Sequence, residues 1–352
     1  MTSATSWKHR LQLIGLNLLI ALLLGEGVLR LVGFQVMSDY HLVSTPTHHL
    51  APDSQQGFRL LPGRFEITIN DSLTYQATHH QTPWGVQRLN RRDAIPASSS
   101  PPLLLSGCSF LYGMGVNDQE TYPFRLQQQL TDYQVLNAGV PAHGTLQSLI
   151  KLKQFVEQGI RPKAFLYHYL DSHQQRNLMG RSFSQLLRVE TALTTGADTV
   201  SVIQFPQGTM KGRPPELSIQ PAEVAFRPVL GSAREWSVLA NQIEQLINHW
   251  SHSRKDGEAV TRACVLEMRR ICEAEGIAFA VAIFSEDPRQ PFMKQLCESE
   301  GLPYLDLTVD YTDPSYFNWP YDGHPNASTH QLYADRVWHF LQQNDWLPMI
   351  PE

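Results

Sequence analysis

The chain has 352 residues, a formal net charge of -5 and 17% charged residues. At roughly 100–200 residues per domain it can bury at least one large core. Its charge balance excludes nucleic acid as the main partner, because phosphate recognition needs a clustered basic surface. The basic run Arg88, Arg91, Arg92 is short and reads as a solvated loop.

The first element is an apolar helix. Lys8, His9 and Arg10 precede LQLIGLNLLIALLLGEGVLRLVGF (11–34). About 20 residues cross a bilayer, so Leu11 to Phe34 is long enough when Arg30 reaches the far interface. No A-x-A cleavage site follows the apolar core, which favours an uncleaved signal anchor over a removed signal peptide. Residues 1–36 are therefore read as a single-pass anchor. Positive residues stay inside and the body of the chain lies outside, periplasmic or at the cell surface.

Residues 37–100 are rich in Pro, His, Ser, Thr and Gln, with alternating stretches such as RFEITIND (64–71). They predict a linker and a small β-rich cap, with His48, His49, His79 and His80 as surface residues. From 101 onward, short apolar runs read as buried strands: LLLS (103–106), QVLNAG (134–139), KAFLYHYL (163–170), AFAVAIFS (278–285) and PYLDL (303–307). Between them lie helical stripes of apolar residues, each read as a core face. One is Leu239, Ile243, Leu246, Ile247 and Trp250; others run through Val260, Cys264, Met268, Ile271 and Cys272, and through Tyr333, Val337, Trp338 and Leu341. Strand–helix alternation predicts an α/β fold, a parallel sheet covered by helices on both sides. Residues 178–234 break the pattern with a Gly/Pro-rich stretch and read as an insertion that could border the site. Cys264, Cys272 and Cys297 fall in apolar helical patterns, and with no CxxC pair in the chain neither a disulfide scaffold nor a zinc site is implied.

Functional groups of a parallel α/β sheet gather at the carboxyl ends of its strands. The first strand ends at Ser106 and runs straight into Gly107, Cys108 and Ser109. Three readings of this turn are open: Ser109 as nucleophile, Cys108 as nucleophile, or a glycine turn with no chemistry. A serine needs a base, itself oriented by an acid. YDGHPNASTHQLYADRVWHF (321–340) supplies Asp322 and His324 in a loop before an amphipathic helix. Asp322, His324 and His330 as metal ligands are the rival reading, but no second ligand set accompanies them.

In these residues the chain resembles the SGNH/GDSL hydrolase superfamily of serine esterases, whose fold is a flavodoxin-like three-layer α/β/α sandwich. Four blocks carry the resemblance in order: GCSFLYGMGV (107–116), NAGVPAHGT (137–145), YHYLDSHQQRN (167–177) and DGHPN (322–326). It covers about 102–345 apart from the insertion. The resemblance implies Ser109 as nucleophile, His324 as general base and then acid, and Asp322 as the residue orienting it, with Asp313 as a fallback. It also implies oxyanion donors at the backbone N–H of Ser109 and in the second block. There Ala142 stands where glycine is usual, and Gly139 and Gly144 are neighbouring alternatives. No metal or cofactor is implied.

Cys108 replaces the aspartate that usually precedes the serine. Asp171 falls at or near the asparagine of the third block, where an ionised carboxylate would repel an oxyanion. It must be protonated, turned away or paired, with His173 and Arg176 as candidate partners; those two are equally candidates for substrate binding. Anchored members of the superfamily imply an ester-bearing small molecule or polysaccharide as substrate, acetyl above all, with hydrolysis and acyl transfer both open. A catalytically inactive binding or scaffold protein on the same fold is the alternative. A transferase drawing on a membrane acyl donor would use the same triad but need a partner protein, whose identity the sequence does not give.

Overall fold

The computed structural model describes residues 4–37, 40–82, 84–89, 101–130, 133–187, 203–224, 226–251, 253–344 and 346. The chain forms two compact units, one made of Tyr40–Ala225 and His252–Glu352, the other of Met1–Asp39 and Phe226–Ser251.

In the larger unit the first strands build the β-rich cap. β1 (Leu42–Thr45), β4 (Gly63–Ile69), β5 (Leu73–Thr82) and β6 (Gly85–Arg88) form an antiparallel sheet in the order β1-β4-β5-β6. β2 (Leu50–Asp53) and β3 (Gly57–Leu60) pair as a hairpin. Alternation along β4 and β5 sends Phe65, Ile67, Ile69, Tyr75 and Ala77 inward, the period of two expected of a sheet with one wet face. His49 and His79 are buried with them, against the expectation of a surface position. The reason is local: His79 Nδ1 and Nε2 lie 2.8 Å from the Leu61 carbonyl and the Tyr112 hydroxyl, so the ring is satisfied without water.

The central sheet holds β7 (Leu103–Ser106), β8 (Val135–Asn137), β9 (Ala164–Leu170), β12 (Ala278–Ser285) and β13 (Tyr304–Asp306). All pairs are parallel, in the spatial order β13-β12-β9-β7-β8. Counted along the chain this is 2-1-3-4-5, the flavodoxin-like doubly wound order. β7, β8, β9 and β12 are buried almost throughout and mostly apolar because both faces are covered, whereas β13 at the sheet edge is only partly buried. Leu104, Phe165, Tyr167 and Val281 pack under the helices Thr145–Glu157, Arg254–Glu275 and Phe292–Glu300. Leu103, Leu105, Leu166 and Ala282 pack under Tyr122–Gln129 and Ala327–Gln343. Each fully buried Leu or Phe contributes about 1.5–3 kcal/mol, so these two layers hold the sheet rigid beneath its loops. Cys264, Cys272 and Cys297 are free, buried members of the first layer.

Of the predicted insertion, residues 188–202 lie outside the described residues. The rest includes the hairpin β10 (Gln204–Lys211) and β11 (Glu216–Glu223), set against Arg254–Glu275, where Gly208 has no room for a Cβ beside Val260.

The smaller unit contains the helix Ala4–Leu31. Its stretch Trp7–Leu31 is long and apolar enough to cross a membrane, and its most apolar window is not buried in the protein. The helix Val238–Trp250 shares this unit. Its apolar stripe is not a core face: Ile243, Leu246 and Trp250 are exposed, while Asn241, Glu244 and Asn248 point inward.

Candidate active site

All four sequence blocks sit at the carboxyl edge of the central sheet. The first follows β7, the second begins in β8 and runs past its end, the third spans the end of β9, and the last precedes the final helix. Gly107 makes the turn out of β7 compact, since a Cβ there would meet His168 Cβ at 2.8 Å. The chain then enters the short helix Ser109–Tyr112, with Cys108 as its N-cap residue. Cys108 is wholly buried in the apolar layer under the final helix. Consecutive side chains diverge at this turn, and the thiol is taken into the core.

Ser109 Oγ lies 2.8 Å from His324 Nε2, and His324 Nδ1 lies 2.7 Å from Asp322 Oδ2. A carboxylate only accepts, so Nδ1 carries the hydrogen and donates it to Asp322, which leaves Nε2 as the acceptor for the Ser109 hydroxyl. Burial acts to raise the Asp322 pKa, but His324 and the backbone amides of Gly323 and His324 outweigh it and hold the carboxyl below its usual range. It is therefore ionised at neutral pH, as orientation of an imidazole requires. Tyr40 Oη donates to its other oxygen at 3.4 Å. Asp313 takes no part; it is half-buried and caps the turn Pro314–Tyr316.

The loop carrying His324 is clamped by Asn318. Its backbone N–H and Nδ2 both donate to the His324 carbonyl, and Nδ2 also reaches that of Pro325. Asn326 caps the final helix through Thr329 N–H. Phe110 packs on the His324 ring with centroids 5.4 Å apart, and Tyr311 stacks on Phe110. Neither Asn318 nor Tyr311 was legible beforehand. The only cue was their place just upstream of the DGHPN block.

The amide inventory separates the oxyanion candidates. Ser109 is the first residue of its helix, where N–H groups have no intrahelical partner. Gly139 N–H donates to Asn137 Oδ1 at 3.1 Å and Gly144 N–H to Gln147 Oε1 at 2.9 Å, so both expected alternatives are occupied. Ala142 N–H has no partner among the described residues. Its backbone is not ordinary, however. Val140 O accepts from His143 N–H, Pro141 is the first central residue and Ala142 has φ +65°. This is a type II turn with alanine at the position that normally takes glycine.

His173 and Arg176 are not the partners of Asp171. His173 is buried with Nδ1 against Tyr167 Oη at 3.0 Å, which places it under the sheet edge. Arg176 donates to the His143 carbonyl at 2.6 Å and lies over the Phe183 ring, so it braces the Ala142 turn. Asp171 instead meets Tyr169 Oη at 3.4 Å and the Asp287 backbone, close to Glu286. Its pKa is raised to about 6, mainly by burial.

A cavity of about 300 Å³ is lined by Phe58, Trp84, Val140, His143 and Lys151 and includes none of Ser109, His324 and Asp322. Asp322, His324 and His330 do not converge on a metal site, for His330 is wholly buried with Nδ1 accepting from Tyr122 N–H.

No protein-family model matches the chain, and no curated protein does. Among solved structures it is similar to a protein assigned to the lipolytic G-D-S-L family from Desulfitobacterium hafniense, at 10% identity and a TM-score of 0.36 over 68% of this chain and 99% of that one. A lipolytic G-D-S-L family member from Veillonella parvula gives 9% and 0.38 over 69% and 100%. An α/β hydrolase from the metagenome of Lake Arreo, Spain, gives 12% and 0.35 over 70% and 97%. The strand order observed in the chain itself gives a flavodoxin-like α/β/α fold, with the four sequence blocks at the carboxyl edge of its sheet.

Proposed function

We propose that the chain is a membrane-anchored serine hydrolase acting on carboxylic ester bonds, with Ser109, His324 and Asp322 as its triad. The carrying observation is the continuous relay from Ser109 Oγ through His324 to Asp322 at 2.8 and 2.7 Å. As Ser109 Oγ attacks the ester carbonyl, its proton passes to His324 Nε2, and the imidazolium formed faces the Asp322 carboxylate. The developing oxyanion takes the backbone N–H groups of Ser109 and Ala142. Collapse expels the alcohol, protonated by His324, and leaves an acyl group on Ser109. Water, activated by the same imidazole, then releases the acid; a sugar hydroxyl in place of water gives acyl transfer.

The substrate class proposed is acyl, foremost acetyl, esters of carbohydrate or cell-surface polysaccharide. The support is the resemblance to anchored members of the superfamily. The catalytic unit is placed outside the cytoplasm, supported by Lys8, His9 and Arg10 before the apolar helix. Asp171, at the asparagine position of the third block, supports the rival reading of an inactive scaffold; the fully formed relay weighs against it.

A fluorophosphonate probe and p-nitrophenyl acetate test the proposal together. Labelling at Ser109 is expected, with kcat for Ser109→Ala or His324→Ala down by about 10⁴–10⁶-fold. Acetylated polysaccharide with and without an acceptor sugar separates hydrolysis from transfer. No labelling of the wild type, with no turnover of either ester, would leave the scaffold reading standing.

A further inference from the structure

The helix Val238–Trp250 is built inside out. Leu239, Ile243, Leu246 and Trp250 recur at intervals of three and four, which gathers them on one face, and Trp236 ends the short helix Ala233–Trp236 just before it. In a water-soluble unit that face would be covered. Here Trp236, Leu246 and Trp250 are 68, 53 and 78% exposed, whereas Glu244 and Asn248 are almost wholly buried.

The inversion is fixed by hydrogen bonds that need polar residues on the inner side. Glu244 accepts from the backbone N–H groups of Val229 and Leu230 at 3.1 and 2.9 Å. Asn241 Nδ2 donates to the Gln35 carbonyl at 3.2 Å. Removing the inner carboxylate would leave two backbone donors without partners, so the helix cannot roll its apolar face inward cheaply.

The start of this helix is fastened to the apolar helix Ala4–Leu31. Glu26 accepts from the N–H groups of Val238 and Leu239 at 3.0 and 2.8 Å and from Ser237 Oγ at 2.9 Å. Arg30 pairs with Glu26 and donates to the Trp236 carbonyl. Glu26 and Arg30 lie in the last turns of Trp7–Leu31, which is where a spanning helix meets the headgroup layer. The joined pieces belong to one compact unit.

We propose that the apolar face formed by Ile243, Leu246 and Trp250 rests in the interfacial layer of the same bilayer that Ala4–Leu31 spans. This rests on the reading of that helix as a membrane anchor. Lipid is favoured over a second copy of the chain because the start of this helix is fastened to a helix that itself needs lipid, and because exposed tryptophans stand at the end of the stripe, Trp250, and just before the helix, Trp236, as rings do at membrane boundaries. Gln242 and Gln245, which flank the stripe within the helix, carry no charge, so the contact is expected to be independent of anionic headgroups.

The full chain in phosphatidylcholine nanodiscs tests this, with an environment-sensitive fluorophore attached through Leu246→Cys or, separately, Leu18→Cys. The native cysteines are all buried, so the label goes to the new thiol. The expected result at 246 is blue-shifted emission, loss of intensity with shallow nitroxide lipids and protection from aqueous iodide, unchanged when phosphatidylserine is added. Iodide quenching at 246 with lipid quenching at 18 overturns the interfacial helix and leaves the anchor intact. Protection at 246 from both quenchers assigns the face to a second copy and overturns the proposal. No lipid quenching at 18 overturns the anchor reading itself.

Discussion

Asp171 and Ala142 are the residues at which the site departs from the pattern it resembles, and each departure has a measurable cost. The Asp171 carboxyl ordinarily titrates near 3.8 and is raised to about 6 here, first by burial, with Tyr169 and the Asp287 amide opposing. A raised acid pKa means that the folded state resists ionisation. No penalty exists below the unfolded pKa; the cost grows as pH rises through the folded one and is complete above it. Asp171→Asn should therefore add stability above about pH 6 and none near pH 4, by about 1–2 kcal/mol once solvent screening of this half-buried group is allowed for. Thermal melts at pH 4, 6 and 8 check the sign, and an equal gain at all three would discard burial as the cause. Removing the charge from the sheet edge should also raise kcat/KM on p-nitrophenyl acetate at pH 8 by about tenfold, less than the full worth of an oxyanion donor. Ala142 is a separate matter. Its φ of +65° costs an L-residue what glycine does not feel. Ala142→Gly should raise stability by about 0.5–1 kcal/mol while keeping kcat/KM within a few-fold, because the donor is backbone.

Between elements, Arg88 at the end of β6 ties the cap to the loop that follows Ser109. Nε pairs with Asp118 at 2.9 Å; Nη1 donates to the carbonyls of Tyr112 and Gly113, and Nη2 to those of Gln76 and Val116. The loop after Ser109 is thus held from the cap side. On the other side Gly115 sits so close to Asn318 that a Cβ would meet its Nδ2 at 2.6 Å. Arg88→Met leaves Asp118 and several carbonyls uncompensated in the interior and should destabilise by about 3–5 kcal/mol. Arg88→Lys should recover little of it, since an ammonium cannot fork to four acceptors. Urea unfolding midpoints decide between these outcomes. The same residue shows where sequence reading stops. Arg88 looked like part of a solvated basic run because its partner, Asp118, lies 30 residues away and no local pattern announces the pair; Arg91 and Arg92 are outside the described residues. The inner strands of the central sheet were legible because burial on both faces writes itself as a mostly apolar run, broken in β9 only by the buried His168. The meeting of Ser109 with His324 was legible from the order of the four blocks alone. The helix Val238–Trp250 was misread as a core element since periodicity gives a face but not the medium that face meets.

For the whole molecule, the division of labour follows the two units. Ser109, Ala142, His324 and Asp322 all belong to Tyr40–Ala225 and His252–Glu352, while residues 226–251 return to the unit of the N-terminal helix. Ester chemistry should then survive removal of Met1–Asp39, with kcat/KM within a few-fold of the full chain. Solubility should not follow so simply. Truncation strips the Val238–Trp250 helix of the Glu26 carboxylate that accepts from its first N–H groups and leaves its apolar face without a bilayer. The shortened chain should elute as large aggregates in size-exclusion chromatography despite lacking its most apolar segment. Adding Ile243→Gln, Leu246→Gln and Trp250→Gln should restore a discrete species at unchanged kcat/KM, because none of the three lies in the catalytic unit. Should the triple variant aggregate as before, the source of insolubility is elsewhere, and the inward polar face of this helix would need another explanation than lipid on its outer side.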